Sequence, residues 1–465
     1  MHKLLPNIKR GKNMVKDMTV GNPTKLILSF SIPLLIGNVF QQFYNMVDTM
    51  IVGRFIGVEA LAALGATGSL NFLVVGFIIG ITSGFAVPIA QTFGGGEEDK
   101  LRHYVVVSSY LCIIFSIVIT LVMVFSVKNI LAIMQTPNDI FENAYSYIKV
   151  ICGGVTATIA YNMLSSILRS LGDSKTPLYF LIIGSILNVI LDIVLIVNFK
   201  MGVAGAAYAT VASQAVSAIL CLIYMSKKFK VLRFKKKDLG FDLKTSMNLL
   251  KIGMPMALQF SITASGSMIL QGAINSFGST IVAAYTAASK VEQILMQPAI
   301  TLGTTMATYT GQNLGAERYD RIEDGIKKSV RISIIFSIIA GIIIVMFGTH
   351  IAKLFISVEA PEVMKSAKQY LNTVALFFIP LGLLFVYRHV LQGLGEGMIT
   401  MYAGISELVG RLIVGFFLSK YLGYTAICLA GPAAWIAAAV LLIVCYYKKA
   451  KSFNLKESCE EMYVN

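Results

Sequence analysis

The sequence predicts an all-α polytopic membrane protein, with twelve spans arranged as two parallel six-helix repeats. Three observations lead there. Of 465 residues 56% are hydrophobic and only 14% charged, and the mean hydropathy of +0.73 is far too apolar for a soluble domain of ordinary composition. Apolar runs of about 20 residues or more, each able to cross a hydrocarbon core of roughly 30 Å as a helix, recur along the whole chain. The chain also repeats itself. Ile167-Leu-Arg-Ser-Leu-Gly-Asp-Ser-Lys-Thr-Pro177 returns about 220 residues later as Val390-Leu-Gln-Gly-Leu-Gly-Glu-Gly-Met-Ile-Thr400. Pro33 answers Pro255, Gln91-Thr-Phe-Gly94 answers Gln312-Asn-Leu-Gly315, and Asp99-Lys100 answers Asp320-Arg321.

In chain order the expected spans are 25–51, 60–90, 102–126, 141–168, 177–198 and 203–226, then 246–275, 280–311, 328–348, 362–388, 398–419 and 424–446. They divide the chain into an N-terminal segment 1–24, a first lobe 25–226, a basic linker 227–245, a second lobe 246–448 and a tail 449–465. An even number of spans per half sends both halves into the membrane in the same direction, so the repeat axis runs along the membrane normal.

Lys9, Arg10, Lys12 and Lys16 precede the first span, Lys227 to Lys237 crowd the linker, and Lys448, Lys449 and Lys451 close the last span. Arg102, Arg169, Lys175, Arg318 and Arg321 fall in alternate loops, which puts both termini in the cytoplasm. The net charge of +15 follows this topology, so nucleic acid is not expected as a partner. The linker lysines are also placed to touch anionic lipid. Residues 1–24 resemble the charged start of a signal peptide, but no small-residue cleavage site follows, and the first span is expected to stay.

An ionisable group at membrane depth costs at least about 2.5 kcal/mol on insertion scales, so each one needs a structural partner or a function. On the first span Asn38, Gln41, Asn45 and Asp48 follow i, i+3, i+7, i+10 and share one face. The second span is expected to end at Gly94-Gly-Gly96, a helix terminator rather than a phosphate loop because no Lys-Ser/Thr follows. The fifth span repeats the first pattern with Ser185, Asn188 and Asp192, and places Asp192 at the level of Asp48, in the outer half of the membrane. Two buried acids with amide neighbours can share a proton or hold Na⁺ through oxygen ligands. A polar helix contact is the bland alternative.

The second half carries a milder polar face on the seventh span (Gln259, Thr263, Ser267, Gln271), then Lys290 and Glu292 on the eighth and Glu407 with Arg411 on the eleventh. Glu292 reads as a substrate carboxylate restrained by Lys290. Glu407 and Arg411, at i, i+4, read either as a mutually neutralising pair or as substrate contacts. Gln41, Asn45, Gln259, Thr263, Glu292 and Glu407 are the candidate substrate-cavity residues. Pro33 and Pro255 interrupt corresponding helices, where a missing N–H can permit a bend, and Pro33 is the candidate hinge. Cys112, Cys152, Cys221, Cys428, Cys445 and Cys459 show no CxxC spacing, and His2, His103, His350 and His389 are scattered, so neither a disulfide framework nor a zinc site is expected.

With the duplicated loop, Val47-Asp48-Thr49 and Asn188-x3-Asp192 in view, the sequence resembles the multidrug and toxic compound extrusion (MATE) family over nearly its whole length. The resemblance implies twelve helices in two lobes around a central cleft and efflux of small organic cations driven by inward H⁺ or Na⁺, with no other cofactor. It further implies a multi-pass protein of the bacterial cytoplasmic membrane, functional as a monomer. Asp48 then resembles the first-helix acid of the N-lobe ion site, Asn188 and Asp192 its fifth-helix partners, and Pro33 the proline at which the first helix bends. The branch that relies on a seventh-helix acid would place it at Thr263, so this chain resembles the DinF-like branch instead. The alternative is a flippase of lipid-linked oligosaccharide or peptidoglycan precursor from the same wider superfamily, which would need a cationic cavity. An enzyme is not expected, since no metal ligand set or nucleophile and base pair is found.

Overall fold

The computed structural model describes residues 16–353 and 361–464, with side chains described through 452. His2, Lys9, Arg10 and Lys12, and the side chain of Cys459, lie outside that set. Eight helices are long and apolar enough to cross a membrane. Six of them are α1 (Pro23–Phe55), α2 (Val58–Gly94), α3 (Glu98–Ile133), α7 (Gly202–Lys228), α10 (Tyr319–Ala352) and α15 (Tyr424–Val464). The other two continue through π-helical turns: α6 (Lys175–Ile193) through Val194–Asn198, and α13 (Gly397–Leu412) through Ile413–Leu418 to the short α14 (Ser419–Leu422).

Two further spans are bent pairs, α4 (Asn138–Gly153) with α5 (Val155–Ser170) at 48° and α11 (Pro361–Ala375) with α12 (Phe378–Gly393) at 53°. The remaining two, α8 (Leu243–Asn275) and α9 (Ser279–Gly315), are as long but more polar. The described residues thus form the twelve expected rods, and no strand occurs among them.

The bends were not foreseen in the single spans 141–168 and 362–388. The first falls at Gly153-Gly154, where a Cβ on Gly154 would lie 2.3 Å from the Val211 side chain; only glycine lets α7 approach this closely. The second precedes Pro380, which has no N–H to continue the ladder to the carbonyl of Leu376.

The sequence repeat turns out to be helix-end chemistry. In the first copy Asp173 N–H bonds to Leu168 C=O at 2.9 Å and Gly172 N–H to Arg169 C=O at 2.9 Å; in the second Glu396 bonds to Leu391 at 2.9 Å and Gly395 to Gln392 at 2.8 Å. These are the paired bonds of a helix C-terminus whose next residue turns left-handed, and Gly172 and Gly395 have φ of +86° and +85°. Gly172 is required twice over, because an added Cβ would meet the Lys16 carbonyl oxygen at 2.1 Å. Asp173 then caps α6, accepting from the Thr176 N–H at 3.0 Å and its hydroxyl at 2.6 Å. Gly94-Gly-Gly96 ends α2 in the same way, with Glu97 N–H on Thr92 C=O at 3.0 Å.

The chain forms two compact units. The first holds Ile32–Ala257 with the described residues before Met18; the second holds Met18–Ser31 and the residues from Leu258 onward. The first turns of α1 therefore belong to the second unit, and the first half of α8 to the first. Pro33 and Pro255 stand beside these two divisions, and α1 runs on as one helix through Pro33. In the second unit Met18 is clasped by α9. Its N–H donates to Gln312 Oε1 at 2.9 Å and its carbonyl accepts from Asn313 Nδ2 at 3.1 Å. Cys112, Cys152, Cys221 and Cys428 are buried free thiols that serve as packing residues.

Candidate functional site

Within the first unit α1 and α6 bring Asp48 and Asp192 together. Their carboxyl groups lie within hydrogen-bonding reach of each other. Asn188 and Asp192, one helical turn apart, are both 0% exposed, while Asp48 is half-buried. With the Asn188 amide oriented to suit its neighbours, its nitrogen donates to Asp192 Oδ2 at 2.9 Å and its oxygen accepts from the Thr210 N–H at 3.1 Å. Asp48 Oδ1 and Asp192 Oδ1 are shielded and have no hydrogen-bond partner.

Two carboxyl groups in such contact need a proton or another cation between them, because two anions side by side in a low dielectric repel strongly. The orphaned oxygens are where that cation would bind. Three residues not singled out in the sequence complete the surroundings. Tyr44 sits one turn before Asp48 with its hydroxyl toward Thr210, and Tyr147 of α4 lies within electrostatic range of both acids. Gln41 and Asn45, on the same face of α1, are left uncovered by protein. Among the described residues no group of three His, Cys, Asp or Glu side chains is arranged to hold a metal ion, so the acidic groups here number two.

The second unit treats its acids differently. Glu407 of α13 is buried and bonded to Arg388 Nη2 of α12, with Arg411 Nη2 at 3.7 Å from its other oxygen. The i, i+4 pairing expected with Arg411 is therefore the weaker contact, and Arg388 from the neighbouring helix is the close partner. Arg411 reaches α8 instead, donating to the Thr263 carbonyl at 3.1 Å and Ser267 Oγ at 3.2 Å. Glu292 of α9 accepts from the Tyr370 hydroxyl at 2.6 Å, and the Tyr285 ring stands edge-on to Tyr370 with centroids 5.1 Å apart. Lys290 is exposed and does not restrain Glu292, since residues two apart on a helix point to different sides. Gln259 is buried with Oε1 unpartnered.

The repeat itself held the signal for the missed tyrosines. Ala144-x2-Tyr147-Ile148 matches Ala367-x2-Tyr370-Leu371, and all six residues are buried; Tyr370 bonds to Glu292, and Tyr147 lies within electrostatic range of Asp48 and Asp192. The bent spans disguised the match, because neither half of α4–α5 or α11–α12 reads as a full helix period across the break.

The MatE family model matches residues 33–194 and again 255–417, one copy per repeat and well over half of the chain. The chain is 29% identical over 383 residues to the probable multidrug resistance protein YpnP of Bacillus subtilis, covering 82% of this chain and 84% of that protein. It is 28% identical over 429 residues to YoeA of the same organism, also described as a probable multidrug resistance protein, covering 90% and 92%. A crystal structure of a MATE protein in complex with MaL6 superposes with a TM-score of 0.88 at 23% identity, covering 94% of this chain and 98% of that one. The duplicated bundle, with an acid pair between its first and fifth spans, thus belongs to a member of the MatE family of multi-pass membrane transporters.

Proposed function

We propose that this protein is a multidrug efflux antiporter of a bacterial cytoplasmic membrane, both termini cytoplasmic, that exports small organic cations in exchange for H⁺ or Na⁺ by alternating access as a monomer. The observation that carries the reading is the contact of Asp48 with Asp192, each with a sealed oxygen that nothing in the protein satisfies. The pair accepts a proton directly. A sodium ion would draw further oxygen ligands, with Asn188 and Tyr44 the nearest polar groups, since hard cations favour several oxygens.

Ion uptake from outside neutralises the pair and favours one access state; its release to the cytoplasm restores the other. The ion and the exported cation must differ in affinity between the two states, because a ligand that binds both equally shifts nothing. One charge crossing 100 mV supplies about 2.3 kcal/mol, a roughly fortyfold concentration bias. Gln41, Asn45, Gln259, Thr263 and Glu292 are the polar groups assigned to the substrate path, Glu407 is withdrawn from it by its pairing with Arg388, and Pro33 is the place where α1 yields.

Precursor flipping is the less favoured reading. A pyrophosphate would need free cations, whereas Arg388 and Arg411 are already engaged by Glu407. The deciding experiment is efflux of a fluorescent organic cation from proteoliposomes with pH and Na⁺ gradients imposed separately. Asp48→Asn should abolish driven efflux at normal expression; undiminished transport by that variant would reject the site.

A further inference from the structure

At the end of the first unit where α3 and α8 begin, a groove of about 1230 Å³ opens between the two helices. One stripe of α3 supplies Lys100, His103 and Tyr104 at i, i+3, i+4, and one stripe of α8 supplies Lys244, Asn248 and Lys251 at i, i+4, i+7. The neighbouring carboxylates are already committed. Asp99 is bonded to Arg102 and, at 2.6 Å, to Lys237. Asp238 takes Arg102 Nε at 2.9 Å and the Lys235 N–H at 2.8 Å. Asp242 caps α8, accepting the Thr245 N–H at 2.9 Å and the Thr245 hydroxyl at 2.6 Å. Lys100 is held by Glu97 at 2.8 Å. Among the described residues Lys244 and Lys251 have no carboxylate within ion-pair distance, so one wall of the groove carries two unpaired cations against the single carboxylate of Asp242, whose hydrogen bonds are to neutral cap donors.

Apolar side chains border these lysines. Leu243 and Met247 are 70% and 50% exposed, and Leu239 and Phe241 just before them are exposed as well. Unpaired ammonium groups beside uncovered apolar groups, at the end of a membrane bundle, match the two chemistries of a lipid: anionic headgroup and acyl chain. We infer that this groove binds the headgroup of an anionic phospholipid, its phosphate between Lys244 and Lys251 and its acyl chains running inward along α3 over the exposed Ile114 and Ile117, which lie on the helical face of His103. The two lysines rise from α8 roughly 10 Å apart, a span that two four-carbon stems close onto one phosphate. The Tyr104 hydroxyl, which accepts from Asn248 Nδ2 at 2.8 Å, keeps its own proton to donate. A soluble anion would satisfy the lysines but make no use of the exposed apolar face of α3 that continues from them into the membrane, which is why the lipid is the occupant chosen.

The test is titration of the detergent-purified full chain with phosphatidylglycerol and with phosphatidylcholine, read by native mass spectrometry and by the shift in thermal midpoint. Wild type should take up and be stabilised by the anionic lipid only. At about one decade per 1.4 kcal/mol, and with roughly 1 kcal/mol per lysine near a charged headgroup, Lys244→Gln/Lys251→Gln should weaken uptake about thirtyfold. Lys244→Arg/Lys251→Arg should retain it. Lys227→Gln/Lys228→Gln, at the end of α7 and outside the groove, should change it by no more than about threefold. Equal losses in the two glutamine variants would reduce the effect to diffuse surface charge and overturn the site. Displacement of the lipid by millimolar inorganic phosphate would make the occupant a soluble anion and overturn the assignment to lipid. Should the glutamine variant fail to fold, a photoactivatable phosphatidylglycerol that labels wild type anywhere but 243–251 and 100–117 would do the same.

Discussion

The two units place different chemistry at matching positions of one repeat. Measured from the π-helical turn that follows each, Asn188 and Asp192 of α6 hold the same register as Glu407 and Arg411 of α13: six and two residues before Val194, and six and two before Ile413. In the first unit the position two before the turn is an acid that reaches an acid on α1. In the second it is a guanidinium that reaches the backbone and a hydroxyl of α8. The second unit therefore carries its cation as part of the chain, fixed by Glu407, Thr263 and Ser267, where the first leaves two carboxyl oxygens unanswered. A buried charge that finds its counter-charge in the protein is architecture; one that does not is an offer to an ion in transit.

The largest effect should come from breaking the closed arrangement. Arg388→Ala strands a buried Glu407 with only the 3.7 Å contact to Arg411, and a buried charge deprived of its partner typically costs about 3–5 kcal/mol. Denaturant or thermal unfolding in detergent would show this as a strongly lowered midpoint. Arg388→Met combined with Glu407→Leu should recover most of it, because an apolar pair replaces both charges. A midpoint unchanged in Arg388→Ala would mean that Glu407 needs no counter-charge, and the contrast between the units would fail.

The open arrangement should answer in the opposite sense. Asp192→Asn removes a carboxylate whose Oδ1 has no partner, so it should leave the unfolding midpoint unchanged or raise it. Gradient-driven accumulation should fall by up to roughly fortyfold, the bias one coupled charge provides at 100 mV. The measurement pairs an unfolding curve with proteoliposome efflux on the same preparation. A lowered midpoint with retained coupling would turn the pair into a structural contact.

Tyr370 and Tyr147 sharpen the comparison at a third matched position. Tyr370→Phe deletes the 2.6 Å hydrogen bond to Glu292 and should cost about 1–2 kcal/mol of stability, since it leaves a buried acceptor unsatisfied. Tyr147 feels the charge of Asp48 and Asp192 but donates no hydrogen bond to either, so Tyr147→Phe should cost less than about 0.5 kcal/mol. Equal losses would show that both tyrosines serve the same structural end.

How much of this could be read from the chain alone depended on whether the signal was local. Span number, the helix ends at Gly94-Gly-Gly96 and the repeat followed from hydropathy and turn chemistry, which act over a few residues. The helix period put Asn188 and Asp192 on one face, but their meeting with Asp48 is a contact between helices that no period encodes. The pairing of Asp48 with Asp192 was expected from their shared depth and the family resemblance, whereas that of Arg388 with Glu407 was missed because a partner at i, i+4 was visible and the true one lay on another helix. The bends at Gly154 and before Pro380 were missed because a run of apolar residues says how long a span is and not whether it is straight.

The smallest effect lies outside the membrane, where an acid of the first unit is closed off as fully as Glu407. Burial pushes the Asp238 carboxyl up, but the Lys235 N–H and the Arg102 guanidinium outweigh it and hold it below the usual carboxylate range. A carboxyl lowered in the folded state stabilises it above the ordinary value of 3.8, and that contribution is lost only as pH falls through the lowered value. Hydrogen exchange of the linker around Asp238 should therefore be flat from pH 7 to about pH 5, after correction for the intrinsic rate, and should quicken only below about pH 4. Asp238→Asn should exchange faster at neutral pH and show no acid step. If wild-type protection were lost already near pH 6, well above the range in which a lowered carboxyl takes up its proton, the linker would not be held by the Asp238–Arg102 pair and the comparison with Glu407 would fail.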